Sequence, residues 1–228
     1  MFIDQWYVIL VLPAIILSLF ASANVNSTFK KYSRVMSRRG ITGAESARRV
    51  LSANGVFGVQ IEHVSGNLTD HFDPRTNTIR LSDAVYSSTS VAAIGVAAHE
   101  AGHAVQYAKG YAPMKMRSAI IPITQIGSNL AMPLILIGII LSMPALAELG
   151  IIAFSFSTLF QLITVPVEFN ASSRAIEAIT NASADAAEVN GAKKVLRAAA
   201  LTYVAALAVS IANLLRLIMI VGGGRRRD

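Results

Sequence analysis

In VAAIGVAAHEAGHAVQYAK, residues 91 to 109, three polar side chains stand in a run otherwise built of small and apolar residues: His99, Glu100 and His103. If the run is an α-helix, residues four apart lie on one face one turn above each other, so the two imidazoles converge on a single cation with Glu100 beside them. HExxH is the spacing of a zinc site in which the two histidines are ligands and the glutamate is a general base. The bland alternative makes the histidines fillers of an ordinary core. Val91, Ala92, Ala93, Ile94, Val96, Ala97, Ala98, Ala101, Ala104 and Val105 around them argue against it, because polar groups in such company need something to satisfy them.

The remaining composition sets the surroundings of that helix. Of 228 residues, 54% are hydrophobic, and the mean hydropathy is +0.53. That is too apolar for an ordinary soluble chain and indicates a protein partnered by a lipid bilayer. The net charge of +7 reads as a loop bias that sets orientation. No basic patch is interleaved with aromatics, so no nucleic-acid partner is expected. Cysteine is absent, which removes disulfides and thiolate ligands and leaves His, Asp and Glu to hold a metal.

Upstream, Trp6 to Ala23 is an uncharged run of spanning length, and residues 1–24 read as an N-terminal transmembrane anchor. Asp4, with no Lys or Arg nearby, is the wrong charge for a cleaved leader. Lys30, Lys31, Arg34, Arg38, Arg39, Arg48 and Arg49 follow, so this side, and the domain over 25–117, are expected in the cytoplasm. Within that domain Thr42 and Glu45 form a capping-box pattern opening an amphipathic helix that Gly55 closes. Val59 to Val64 and TIRLS, Thr78 to Ser82, read as strands, with TIRLS the expected edge for pairing with extended substrate. His63 and His71 are each a single histidine in a strand or turn, for which a structural role is the simpler expectation.

Downstream, residues 118–170 hold two further apolar helices, Ser118 to Met143 with Pro122 and Pro133 inside, and Leu149 to Val167. Gln125, Ser128 and Asn129 must face protein or water, since lipid offers them no partner. Residues 171–197 read as a polar loop or helix, and 198–228 as a fourth spanning helix, bearing Arg216, with a basic tail. Four spans put both termini outside, whereas the tail GGGRRRD is of the type that stays inside. The larger cationic block after the first span is given precedence.

A catalytic zinc takes three protein ligands and keeps a position for water. No histidine follows His103, and the downstream acids are Glu148, Glu168, Glu177, Asp185, Glu188 and Asp228. Glu168 ends the apolar run TLFQLITVPVEF, where an unpartnered carboxylate is costly and a cation would relieve it. The competing reading pairs Glu168 with Arg174.

The stretches LTDHFDPRTNTIRLSDAVY, AAHEAGHAVQ and PVEFNASSRA together make the chain resemble, over nearly its whole length, the bacterial membrane family of neutral zinc metallopeptidases. That family is similar in site logic to the membrane heat-shock protease and the prenyl-protein (CAAX) endoprotease, whose HExxH is completed by a Glu in an ExxA context. Glu168 and Ala171 match it. Those relatives place Asp directly after the Ala, whereas here Ser172 follows, leaving Asn170 or Arg174 to substitute. The resemblance implies an α-helical membrane protein of the bacterial plasma membrane, with about four transmembrane or membrane-embedded helices and a small α+β zincin-like domain. It implies one zinc ion per chain on His99, His103 and Glu168, with Glu100 as base, and an endopeptidase acting on a peptide or membrane-protein substrate. His71, Arg174 and Tyr203 are the candidates for stabilising the transition state. The alternative is an inactive zinc-binding scaffold or chaperone-like protein, and the number of subunits is left open.

Overall fold

The computed structural model describes residues 4–182 and 185–224. The basic tail, Arg225 to Asp228, and the first three residues of the anchor lie outside them. The chain is an α-helical membrane protein with a small α+β part. A π-helical turn, Tyr7–Val11, leads into α1 (Leu12–Tyr32), followed by α2 (Gly43–Ala53), β1 (Gln60–His63), β2 (His71–Asp73), β3 (Thr78–Leu81), α3 (Val91–Ala108), α4 (Ala112–Ile140), α5 (Pro144–Ala182) and α6 (Ala186–Gly224). Four helical stretches are long and apolar enough to cross a membrane: Tyr7–Tyr32, Ala112–Ile140, Pro144–Ala182 and Ala186–Gly222. The 39 residues of α5 would extend roughly 58 Å at 1.5 Å per residue. That is nearly twice a hydrocarbon core of about 30 Å, so this helix must outrun the bilayer.

The chain divides into two compact units, one of residues 1–21, 116–165 and 202–228, the other of residues 22–115 and 166–201. In the first, helices approach through small residues. A Cβ on Gly127 would lie 2.8 Å from the Ala153 carbonyl oxygen, and one on Gly150 2.8 Å from that of Ala131, the usual means of close packing where lipid removes the hydrophobic drive between helices. Hydroxyls pair across helices, Ser128 with Ser157 at 2.6 Å and Thr158 with Ser210 at 2.8 Å. Arg216 donates from Nε and Nη2 to Asp4 Oδ2 at 2.9 and 2.6 Å and lies over the Tyr7 ring. The two ends of this unit therefore lie side by side, as an even number of spans requires.

In the second unit the capping box of α2 is formed, with Thr42 accepting from the Glu45 backbone and the Glu45 side chain accepting from Thr42 N. The face of Ala47, Val50 and Leu51 is buried in a core shared with β3 and α3, and Ser46 Oγ donates to Ile94 O at 3.1 Å. The sheet corrects one expectation. Its order is β1-β3-β2, with β1 parallel to β3 and β2 antiparallel, so TIRLS is the central strand and not an edge. Thr78, Ile79 and Leu81 are buried. Sequence order misleads because the chain crosses past the position of β3 to form β2, then returns through a turn at Asp73, whose carboxylate accepts from Arg75 N and Thr76 Oγ1.

A second correction concerns Glu168. The apolar run stops there, but the helix does not: α5 continues to Ala182. Composition marks where lipid ends, whereas the backbone ladder persists as long as a helix face has something to cover, here through the buried Ala171, Ala175 and Ile179.

Candidate metal centre

Helix α3 starts at the Ser90 cap, whose hydroxyl accepts from Ala93 N at 3.2 Å, and ends before Gly110, which takes the left-handed φ of +67°. It is buried along most of its length, so the direction of His99 and His103 is fixed by packing on every side. Their rings meet edge to face, with centroids 4.6 Å apart and planes at 80°.

The third group comes from α5. Glu168 Oε2 lies 3.1 Å from His99 Nε2 and 3.4 Å from His103 Nε2. Zinc bonds of about 2.0–2.1 Å in a tetrahedron imply donor separations of about 3.3 Å. The spacing therefore fits a zinc-sized cation, and the three candidate ligand atoms all lie within 4.8 Å of one another. The helices come this close because residue 102, inside the motif, has no side chain: a Cβ there would stand 2.7 Å from the Ala171 carbonyl oxygen.

The far nitrogens of both imidazoles are engaged. His103 Nδ1 lies 3.0 Å from Gln106 Oε1, while Gln106 Nε2 donates to Val167 O at 2.8 Å and to Asn170 Oδ1 at 3.0 Å. A backbone carbonyl can only accept, so the Gln106 amide is oriented with its oxygen towards His103, and Nδ1 carries the proton. Arg174 Nε closes the chain of bonds by donating to Asn170 Oδ1 at 2.8 Å. Ser172 Oγ lies 3.1 Å from His99 Nδ1 and can accept from it. With Nδ1 held by Gln106 and by Ser172, each histidine turns Nε2 towards Glu168, the nitrogen that donates to the carboxylate without a metal and becomes the ligand once its proton is displaced.

Electrostatics favour positive charge at the same point. Glu168 is 1% exposed and Glu100 is also buried. Burial disfavours the His103 imidazolium, but hydrogen bonding and charge from Glu168, with smaller contributions from Glu100 and Gln106, outweigh it and raise its pKa above the usual histidine value. Buried carboxylates need a cation or a proton. Two imidazoles, a carboxylate and no thiolate form a donor set suited to zinc.

The remaining expectations are placed as follows. Arg174 is tied to Asn170, while Glu168 faces the two histidines. Ser172, at the position where the relatives place Asp, lies beside His99, while the expected substitutes Asn170 and Arg174 join the chain of bonds that reaches His103 through Gln106. His71 is exposed on β2 with Nδ1 2.7 Å from Thr69 O, and His63 pairs with Asp83 at 2.6 Å. Tyr203 belongs to the other compact unit, on α6. Sequence reasoning passed over Gln106 and Gly102, and noted Ser172 only as a departure from the relatives' Asp. Gln106 carried a usable signal: an amide one turn beyond His103 on an otherwise apolar helix must have a buried partner.

Residues 7–222 match the family described as "Putative neutral zinc metallopeptidase". The chain is 48% identical over 220 residues to "Putative membrane protease YugP" of Bacillus subtilis (strain 168), an alignment covering 96% of this chain and 98% of that protein. No solved structure matches.

Proposed function

The chain belongs to this family of zinc metallopeptidases, and on that footing we propose that it is a zinc-dependent membrane endopeptidase held together at His99, His103 and Glu168. One observation supports the reading above the rest: three donor atoms from two helices meet within 4.8 Å, with both far imidazole nitrogens occupied by Ser172 and Gln106. Bound there, zinc would supply Lewis acidity and make the attacking water a stronger acid. Glu100, beside the histidines on α3, accepts the proton of the attacking water at its carboxylate and returns it to the leaving amine. Gln106 and Ser172 hold the two rings in the tautomer and orientation their task demands. A substrate in extended form would pair with a free sheet edge. β2 is the edge favoured here, because its Phe72 packs on Tyr107, one turn beyond His103. The cationic block after the first span supports a cytoplasmic position for the HExxH-bearing unit. A cysteine introduced between residues 60 and 70 should therefore resist an impermeant thiol reagent in intact cells, and its labelling would reverse the orientation.

The activity is tested with full-length protein in detergent, loaded with one zinc per chain, on casein and a peptide library. Chelator-sensitive cleavage is expected, together with a loss of about 10²-fold or more in Glu100→Gln at unchanged zinc content. Cleavage by Glu100→Gln at the native rate removes the base assignment. A zinc-loaded native chain that cleaves nothing is the scaffold and not the enzyme.

A further inference from the structure

Helix α4 carries two carboxamides that the fold does not use. Gln125 and Asn129 are exposed, and among the described residues neither has a hydrogen-bond partner. Ser128 between them is satisfied internally, by Thr124 O at 2.7 Å and Ser157 Oγ at 2.6 Å. The uncharged part of α4, residues 118–140, has its midpoint at residue 129, so at 1.5 Å per residue Asn129 lies at the middle of the span and Gln125 about 6 Å from it. Lipid tails offer them nothing, and an intramembrane polar group without a partner marks a place where one binds.

The surrounding pattern identifies the partner. Pro122, Gln125, Asn129, Met132, Leu136 and Ile139 follow one another at spacings of three, four, three, four and three, and all are exposed. This is the heptad seam of helices that cross at a shallow left-handed angle, with Asn129 at a position where a single asparagine commonly fixes register. Beside the amides runs a groove of about 390 Å³, lined by Gln125, Ser128, Asn129 and Phe160, that knobs from a facing helix could fill. Two copies inserted alike in one membrane lie parallel about an axis along the bilayer normal, which brings each residue opposite its own counterpart. A carboxamide both donates and accepts, so it complements itself.

We propose that α4 is a homodimer interface in which Gln125 and Asn129 pair with the same residues of a second copy across the bilayer centre. The chain contains no cysteine, so single cysteines report directly. In native membranes treated with a lipid-soluble oxidant, Met132→Cys and Leu136→Cys should give disulfide-linked dimers, whereas Ile126→Cys and Leu130→Cys, exposed on another side of α4, should not. Replacing Gln125 and Asn129 by Leu in the Met132→Cys background should weaken dimerisation about tenfold, the size expected of one to two intramembrane hydrogen bonds. Cross-linking at neither pair of positions, equally at both, or at the seam only to other proteins overturns the proposal, as does undiminished association of the Leu variant. The single-cysteine variants keep both amides, so their pattern decides the matter whether or not the Leu variant folds.

Discussion

Gly102 and Ala171 are the point of contact on which the candidate metal centre turns: a methyl group at 102 would stand 2.7 Å from the Ala171 carbonyl oxygen, well inside van der Waals distance. Glu168 lies one turn before Ala171 on the same helix, so the separation of α3 and α5 at this point sets the reach from its carboxylate to the two imidazoles.

Gly102→Ala is therefore expected to push α5 outward, costing about 1–3 kcal/mol of stability as overpacking does and lowering zinc content with it. Gly95→Ala, on the same helix, meets Ala192 at an ordinary 3.5 Å and should be neutral or stabilising by up to about 1 kcal/mol. Melting temperature and metal analysis of both variants check this. Equal effects at 95 and 102 would refute the role given to the close approach.

Ser172→Ala leaves His99 Nδ1 without its acceptor. Loss of such an outer partner typically weakens metal binding about 10–100-fold, and competition against a fluorescent zinc chelator reads that change. Ser172→Asp supplies an acceptor again and should bind at least as tightly as the native chain. Unchanged affinity in Ser172→Ala would mean that ring orientation is set by packing alone.

Glu168→Ala removes the only carboxylate in the donor set. Zinc occupancy and thermal stability should fall together, with the stability loss growing as free zinc rises, because the native protein then gains more from binding. A variant that retains one zinc at native affinity would place the ligand elsewhere.

The raised pKa of His103 fixes a pH dependence. In the metal-free protein a group whose folded pKa lies above its unfolded value stabilises below about pH 6.5 and loses that contribution as pH rises through the folded value. Zinc requires the neutral imidazole and must displace this proton. The gain in melting temperature on adding saturating zinc should consequently increase from pH 6 to pH 8. A gain independent of pH would show that no proton is exchanged at the site.

Much of this was legible in the chain because chemistry and periodicity coincide there. His99 and His103 are four residues apart on an apolar helix, and Glu168 is a carboxylate in apolar company, so each is conspicuous before any fold is known. The central place of β3 was not legible. Strand order depends on which of two neighbours the returning chain selects, and the short β2, three residues beside a proline turn, gave too little periodicity to reveal itself. Ser172 was visible only as a departure from the relatives' Asp, because a serine's role depends on what its one oxygen reaches, and here the geometry puts that oxygen 3.1 Å from His99. The extent of α5 escaped an apolar scan because its last turns cover protein through small residues, Ala171 and Ala175 among them.

The clasp between Asp4 and Arg216 joins residues 212 positions apart. At typical synthesis rates of about 5–20 residues per second, roughly 10–40 seconds separate the emergence of the two. Throughout that interval the Asp4 carboxylate has the nearby Tyr7 amide as a partner, and the cation that completes the contact comes with α6. The first helix therefore cannot finish docking when it is made. Its completion is deferred until α6 is made, so a chain truncated before Arg216 is left with an unlatched first helix.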